Sequence, residues 1–78
     1  MKKQELSLLR YALKKGFYVD VLAAGDTVEF WLGHKECDVK ELMFAASAAL
    51  VAPERYESMI EDNVDDYIED FTEAYLEE

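Results

Sequence analysis

Seventy-eight residues at 9.0 kDa provide for one domain, spanning 1–78, and an apolar fraction of 51% is enough to give it a modest core. A formal charge of −10 argues against a nucleic-acid binder or a protein of anionic membrane surfaces, since both need basic patches. A lone cysteine makes no internal disulfide and suits a reducing compartment.

Met1-Lys2-Lys3 leads into Gln4 and Glu5 rather than an apolar stretch, which speaks against a signal peptide. The longest near-continuous apolar run, Leu42 to Ala52, is about half of a bilayer span. The expectation is a cytoplasmic protein.

The first segment, Gln4 to Lys15, reads as a helix. Leu6, Leu9 and Leu13 recur at helical spacing beside Ala12, Lys14-Lys15 suit the negative end of a helix dipole, and Gly16 stands at a C-terminal cap. Phe17–Leu22 and Thr27–Leu32 then read as a hairpin turning at Ala23-Ala24-Gly25-Asp26. Alternation gives one face to Phe17, Val19 and Val21 with Val28, Phe30 and Leu32. Tyr18, Asp20 and Leu22 share the other with Thr27, Glu29 and Trp31. Gly33 reads as a break, and His34–Cys37 as a short third strand or a loop.

Asp38-Val39-Lys40-Glu41 has the form of a capping box, opening a helix to about Val51. Its residues Leu42 to Leu50 are apolar except for Ser47 and rich in alanine. A helix apolar all round must be buried or paired, which makes a homodimer through it a reasonable expectation. Pro53 suits the first turn of a last helix running from about Pro53 to Tyr75 or beyond. Tyr56, Ile60, Val64, Tyr67, Ile68, Phe71 and Tyr75 line one side of it, while Met59 and Leu76 fall outside that stripe. The expected fold class is α+β, a small two-layer domain of order α-β-β-α-α with a long acidic C-terminal helix.

The charge is concentrated in that helix. Residues 1–50 carry seven basic and seven acidic side chains, whereas residues 51–78 carry eleven acids against Arg55 alone. Glu57, Glu61, Asp65, Glu69, Glu73 and Glu77 stand four apart, and Asp62, Asp66 and Asp70 form a second row. Their mean direction is opposite the apolar stripe. Each like-charge pair at this spacing costs roughly 0.2–0.5 kcal/mol, so the row opposes folding and invites another explanation. From Glu54 to Glu78 a helix is about 37 Å long, giving one carboxylate per roughly 3.4 Å, close to the phosphate spacing along one DNA strand. The plain alternative is a solvated face that keeps the chain soluble.

Other chemistry is sparse. His34 and Cys37 are spaced like half of a metal site with no second half, and read as a surface histidine and an ordinary buried thiol. Asp62-Asn63-Val64-Asp65-Asp66 lacks the acid and glycine positions of a calcium loop. With one histidine, no nucleophile elbow and no phosphate loop, no catalytic residue, metal or cofactor is expected, and the chain reads as a non-enzyme. Tyr18 and Trp31 read as core under a covering helix, or else as an exposed aromatic anchor for a partner.

In size, charge and layout along the whole chain, the protein resembles the small acidic inhibitors that bacteriophages encode, the nucleic-acid mimics and anti-CRISPR proteins. That resemblance implies an inhibitor whose acidic face blocks a nuclease's nucleic-acid channel in the host cytoplasm. A charge of −10 points to mimicry of a single strand or local site. The expected partner footprint, taken from periodicity alone, is Glu57, Glu61, Asp62, Asp65, Asp66, Glu69, Asp70, Glu73 and Glu77, set against a basic protein surface without direct contact to nucleic acid or membrane. The alternative is a small adaptor or regulatory subunit that docks through apolar helix or sheet contacts, its acids serving solubility alone.

Overall fold

The computed structural model describes residues 8–76. Four strands, β1 (Leu8–Ala12), β2 (Phe17–Ala24), β3 (Thr27–His34) and β4 (Lys40–Ser47), form one antiparallel sheet in the order β1-β2-β3-β4. A single helix follows, entering through a 3-10 turn at Pro53–Arg55, continuing as α1 (Tyr56–Phe71) and ending in a π turn at Thr72–Leu76. The class is α+β, with the order β-β-β-β-α in place of α-β-β-α-α.

The central hairpin follows its alternation. Val19 pairs with Leu32, Val21 with Phe30 and Ala23 with Val28, and Phe17, Val19, Val21, Val28, Phe30 and Leu32 are all buried on the face that meets the helix. Gly25 and Asp26 make the two-residue turn, with Gly25 at φ 66 in the first central position, as in a type II′ turn. Gly33 continues β3 rather than ending it. His34 closes that strand, and Lys35-Glu36 turn away, so residues 34–37 form no separate strand.

The expected first helix is replaced by a strand where it can be described; its residues 4–7 lie outside the described part. Leu9 and Tyr11 alternate with Arg10 and pair with Val21 and Val19, so a period of two runs beneath the leucine spacing that reads as helical. Lys14–Gly16 form a tight turn with Lys15 at φ 60 and Gly16 at φ 85, and Leu13 N–H donates to Phe17 O across it. Gly16 thus reverses the chain between strands instead of capping a helix.

The expected helix 38–51 is likewise a strand and a turn. The register explains why its pattern misleads: Trp31 pairs with Leu42 and Phe30 with Phe44, leaving Met43 as an extra residue in a β-bulge. Met43 is buried and the adjacent Phe44 packs against the core, so inward-facing neighbours break the alternation. The pairing with β3 overrides the helix propensity of Ala45 and Ala46. Ala48 and Leu50 fall in the turn after β4, where Leu50 is 84% exposed. A homodimer built on an apolar helix 38–51 therefore has no helix to use.

The final helix carries its apolar stripe into the sheet. Tyr56, Ile60, Val64 and Phe71 are buried. Tyr56 meets Phe30 edge-on at 5.5 Å, and Phe71 meets Phe17 likewise at 5.9 Å, so aromatic contacts hold the helix near both of its ends. Met59 and Leu76, outside the expected stripe, also pack against this core, whereas Tyr75 is 40% exposed. Among the described residues no helix is long and apolar enough to cross a membrane.

Candidate functional site

Burial of the stripe turns the acids outward. Glu57, Glu61, Asp62, Asp65, Asp66, Glu69, Asp70 and Glu73 are all exposed; Glu77 lies outside the described residues. The helix is continuous through them. The sixteen residues of α1 hold seven of these carboxylates over about 24 Å, again one per roughly 3.4 Å. Among the described residues neither ion pair involves the helix. Arg55 caps its start, and Lys14 lines a shallow groove with Glu61 and Asp65, without an ion pair from either cation to the ridge. The ridge is thus uncompensated and convex.

The opposite face of the sheet has a different chemistry. No described strand or helix lies over it, which corrects the expectation that Tyr18 and Trp31 sit under a covering helix. Asp20 is nevertheless fully buried there, because Arg10 and Lys40 close over it. Arg10 Nε and Nη2 donate to the two Asp20 oxygens at 2.6 and 2.9 Å, and Lys40 Nζ donates to Oδ2 at 2.7 Å. Burial raises the Asp20 pKa, but the hydrogen bonds and charges of Arg10 and Lys40 outweigh it, leaving this carboxyl below its ordinary range. The same pairing holds the Arg10 guanidinium above its ordinary value.

Gly33 makes this clamp possible. A Cβ on Gly33 would stand 2.6 Å from the Tyr18 ring, so only glycine lets that ring lie across β3. Arg10 then stacks 4.1 Å from the ring centroid on β2, while Lys40 reaches Asp20 from β4, two strands away. Trp31 is half-buried, donates its indole N–H to Glu29 Oε1 at 3.1 Å, and pairs with Leu42, which is 47% exposed. The aromatic pair Tyr18 and Trp31 therefore borders solvent, and Tyr18 is committed to the clamp.

Sequence reading misses Arg10, Asp20, Lys40 and Gly33 as a unit. Its only signal is a carboxylate amid apolar neighbours on one strand face; the cations come from two strands that read as helices.

His34 is buried rather than superficial. Its Nδ1 accepts from the Glu36 N–H at 3.0 Å, which leaves Nε2 as the donor to Lys15 O at 2.8 Å. The ring thus ties the β1–β2 turn to the end of β3, with Phe17 packed edge-on against it at 4.7 Å. Cys37 is half-buried against the core, and no three His, Cys, Asp or Glu side chains among the described residues form a group able to hold a metal. No protein-family model, curated protein or solved structure matches the chain.

Proposed function

We propose that this chain is a non-enzymatic inhibitor that sets the acidic face of its last helix against a basic nucleic-acid-binding surface, standing in for the nucleic-acid backbone as anti-CRISPR and host-takeover proteins of phages do. The observation that carries this reading is the uncompensated row of exposed carboxylates on one rod, at a spacing close to that of phosphates. Such a row steers a basic partner toward it over distances longer than any contact. Its outward convexity suits insertion into a concave channel. The reading needs no cofactor and no direct contact with nucleic acid or membrane.

The test is capture of host proteins at about 50 mM salt, with duplex or single-stranded DNA as competitor, by the wild type and by Asp65→Lys, Asp66→Lys, Glu69→Lys combined. Nucleic-acid-binding proteins retained by the wild type, released by DNA and ignored by the triple variant support the reading. Retention by the triple variant contradicts it.

One observation favours a second reading. Trp31 and Leu42 meet on a sheet face without a covering layer, and apolar docking there would make the chain an adaptor or a homodimer whose acids only solubilise. Trp31→Ala should then abolish the complex, and high salt should leave it intact.

A further inference from the structure

The helix departs from regular geometry at its end. In the π turn Thr72–Leu76, hydrogen bonds reach back five residues, so the chain lags the α-helical rotation. Tyr75, within this turn, faces β4. Its ring lies 4.8 Å from that of Phe71, and its hydroxyl donates to Glu41 Oε2. Between this turn and β4 lies a groove of about 250 Å³, lined by Glu41 and Met43 from the strand and by Tyr67, Asp70, Phe71 and Tyr75 from the helix.

The lining selects a chemistry. Three aromatic rings and a thioether form a polarisable apolar wall, and two carboxylates stand beside it without a cation paired to either among the described residues. An anion is repelled, and a purely apolar group leaves Asp70 facing it without a partner and Glu41 with the Tyr75 hydroxyl alone. A cation with a flat apolar face satisfies both parts, stacking on rings while donating to oxygens. Guanidinium does so better than ammonium, because it is planar, weakly hydrated and forked. The other groove, about 410 Å³ between Ala12–Lys14 and the helix, has no aromatic ring and already holds Lys14 beside its acids.

We propose that the groove between β4 and the π turn takes the guanidinium of an arginine on the partner's basic surface, held between the tyrosine rings and the Glu41 and Asp70 carboxylates. The proposal rests on the acidic-face reading and adds to it an anchor, since diffuse charge attraction gives rate and arginine in an aromatic pocket gives grip. The site is already organised in the free protein. The hydrogen bond from the Tyr75 hydroxyl to Glu41 holds the ring in place, and the same bond, with desolvation, keeps that hydroxyl above its ordinary pKa.

The test is an NMR titration of the whole protein with N-acetyl-arginine methylamide, and separately with its lysine counterpart. Shifts are expected to concentrate at Met43, Tyr67 and Tyr75, with arginine about fivefold tighter than lysine. Glu41→Gln with Asp70→Asn should weaken arginine binding about tenfold, while the charge-matched Glu57→Gln with Glu61→Gln should change it less than about twofold. Tyr75→Leu should erase the preference for arginine, with unchanged signals from Val19 and Val21, core residues away from the groove, showing an intact core. Shifts spread along the whole helix, equal binding of both probes, or equal losses in the two double variants would overturn the proposal. A spread response with host-protein capture still lost on Asp65/Asp66/Glu69 reversal sinks the anchor alone. A localised response with capture indifferent to that reversal supports the groove and sinks the acidic-face reading.

Discussion

The two faces of the sheet solve the same problem by different physics. One buries alternating apolar side chains beneath a helix, so its stability is an area effect, spread over many contacts. The other has no described layer above it and closes over a single carboxylate, with Arg10 and Lys40 reaching inward from the strands on either side of the hairpin. Tyr18 lies flat on Gly33 beneath Arg10, so apolar cover is local and thin. With one α-helix among the described residues, packing shields one sheet face, and ions knit the other. The helix can in turn devote its outer surface to charge, because aromatic contacts to Phe30 and Phe17 hold its inner one.

Substitutions should separate the faces. Phe30→Ala, under the helix, should cost about 3–5 kcal/mol and leave the domain largely unfolded in urea titration. Gly33→Ala should cost about 1–3 kcal/mol by driving its methyl into the Tyr18 ring. If that clash is the cause, adding Tyr18→Ala should recover part of the loss, and a double-mutant cycle measures the coupling. Asp20→Asn should cost about 1–2 kcal/mol, less than severing a deeply buried pair, because Arg10 and Lys40 are 52% and 41% exposed and rehydrate.

The pH dependence of that last variant has a definite sign. The folded-state pKa of Asp20 is lowered, so its contribution is complete above the unfolded value of about 3.9 and vanishes as pH falls through the folded value. Wild type should therefore lose more stability than Asp20→Asn between about pH 5 and 2, and parallel acid titrations would refute the clamp. The smallest effect belongs to the helix. Reversing Asp65, Asp66 and Glu69 to lysine relieves like-charge pairs and should raise stability by about 1 kcal/mol, measured as a higher urea midpoint.

The legible parts of the fold are those whose period is unbroken. The hairpin alternates strictly from Phe17 to Leu32, and the last helix keeps an apolar stripe with acids opposite, so both can be read directly. The edge strands cannot. The Met43 bulge removes the alternation of β4 and leaves an alanine-rich run that resembles a helix, while three leucines at helical spacing mask the Leu9–Tyr11 alternation of β1. The ion clamp is hidden for the same reason, since its cations become neighbours of Asp20 only once both edges are strands. The acidic ridge depends on the helix alone and is visible in the sequence. The groove beside Tyr75 lies between a bulged strand and a π turn, and no local pattern encodes their meeting.

The salt dependence of the complex between this protein and a captured nucleic-acid-binding partner tests the acidic face most directly. The account predicts an affinity that falls steeply from about 50 to 200 mM salt, toward the roughly thousandfold loss that six phosphate contacts give, and a slope flattened by the Asp65, Asp66 and Glu69 reversal. An affinity indifferent to salt, unchanged by that reversal and abolished by Trp31→Ala would move the working surface to the other side of the sheet.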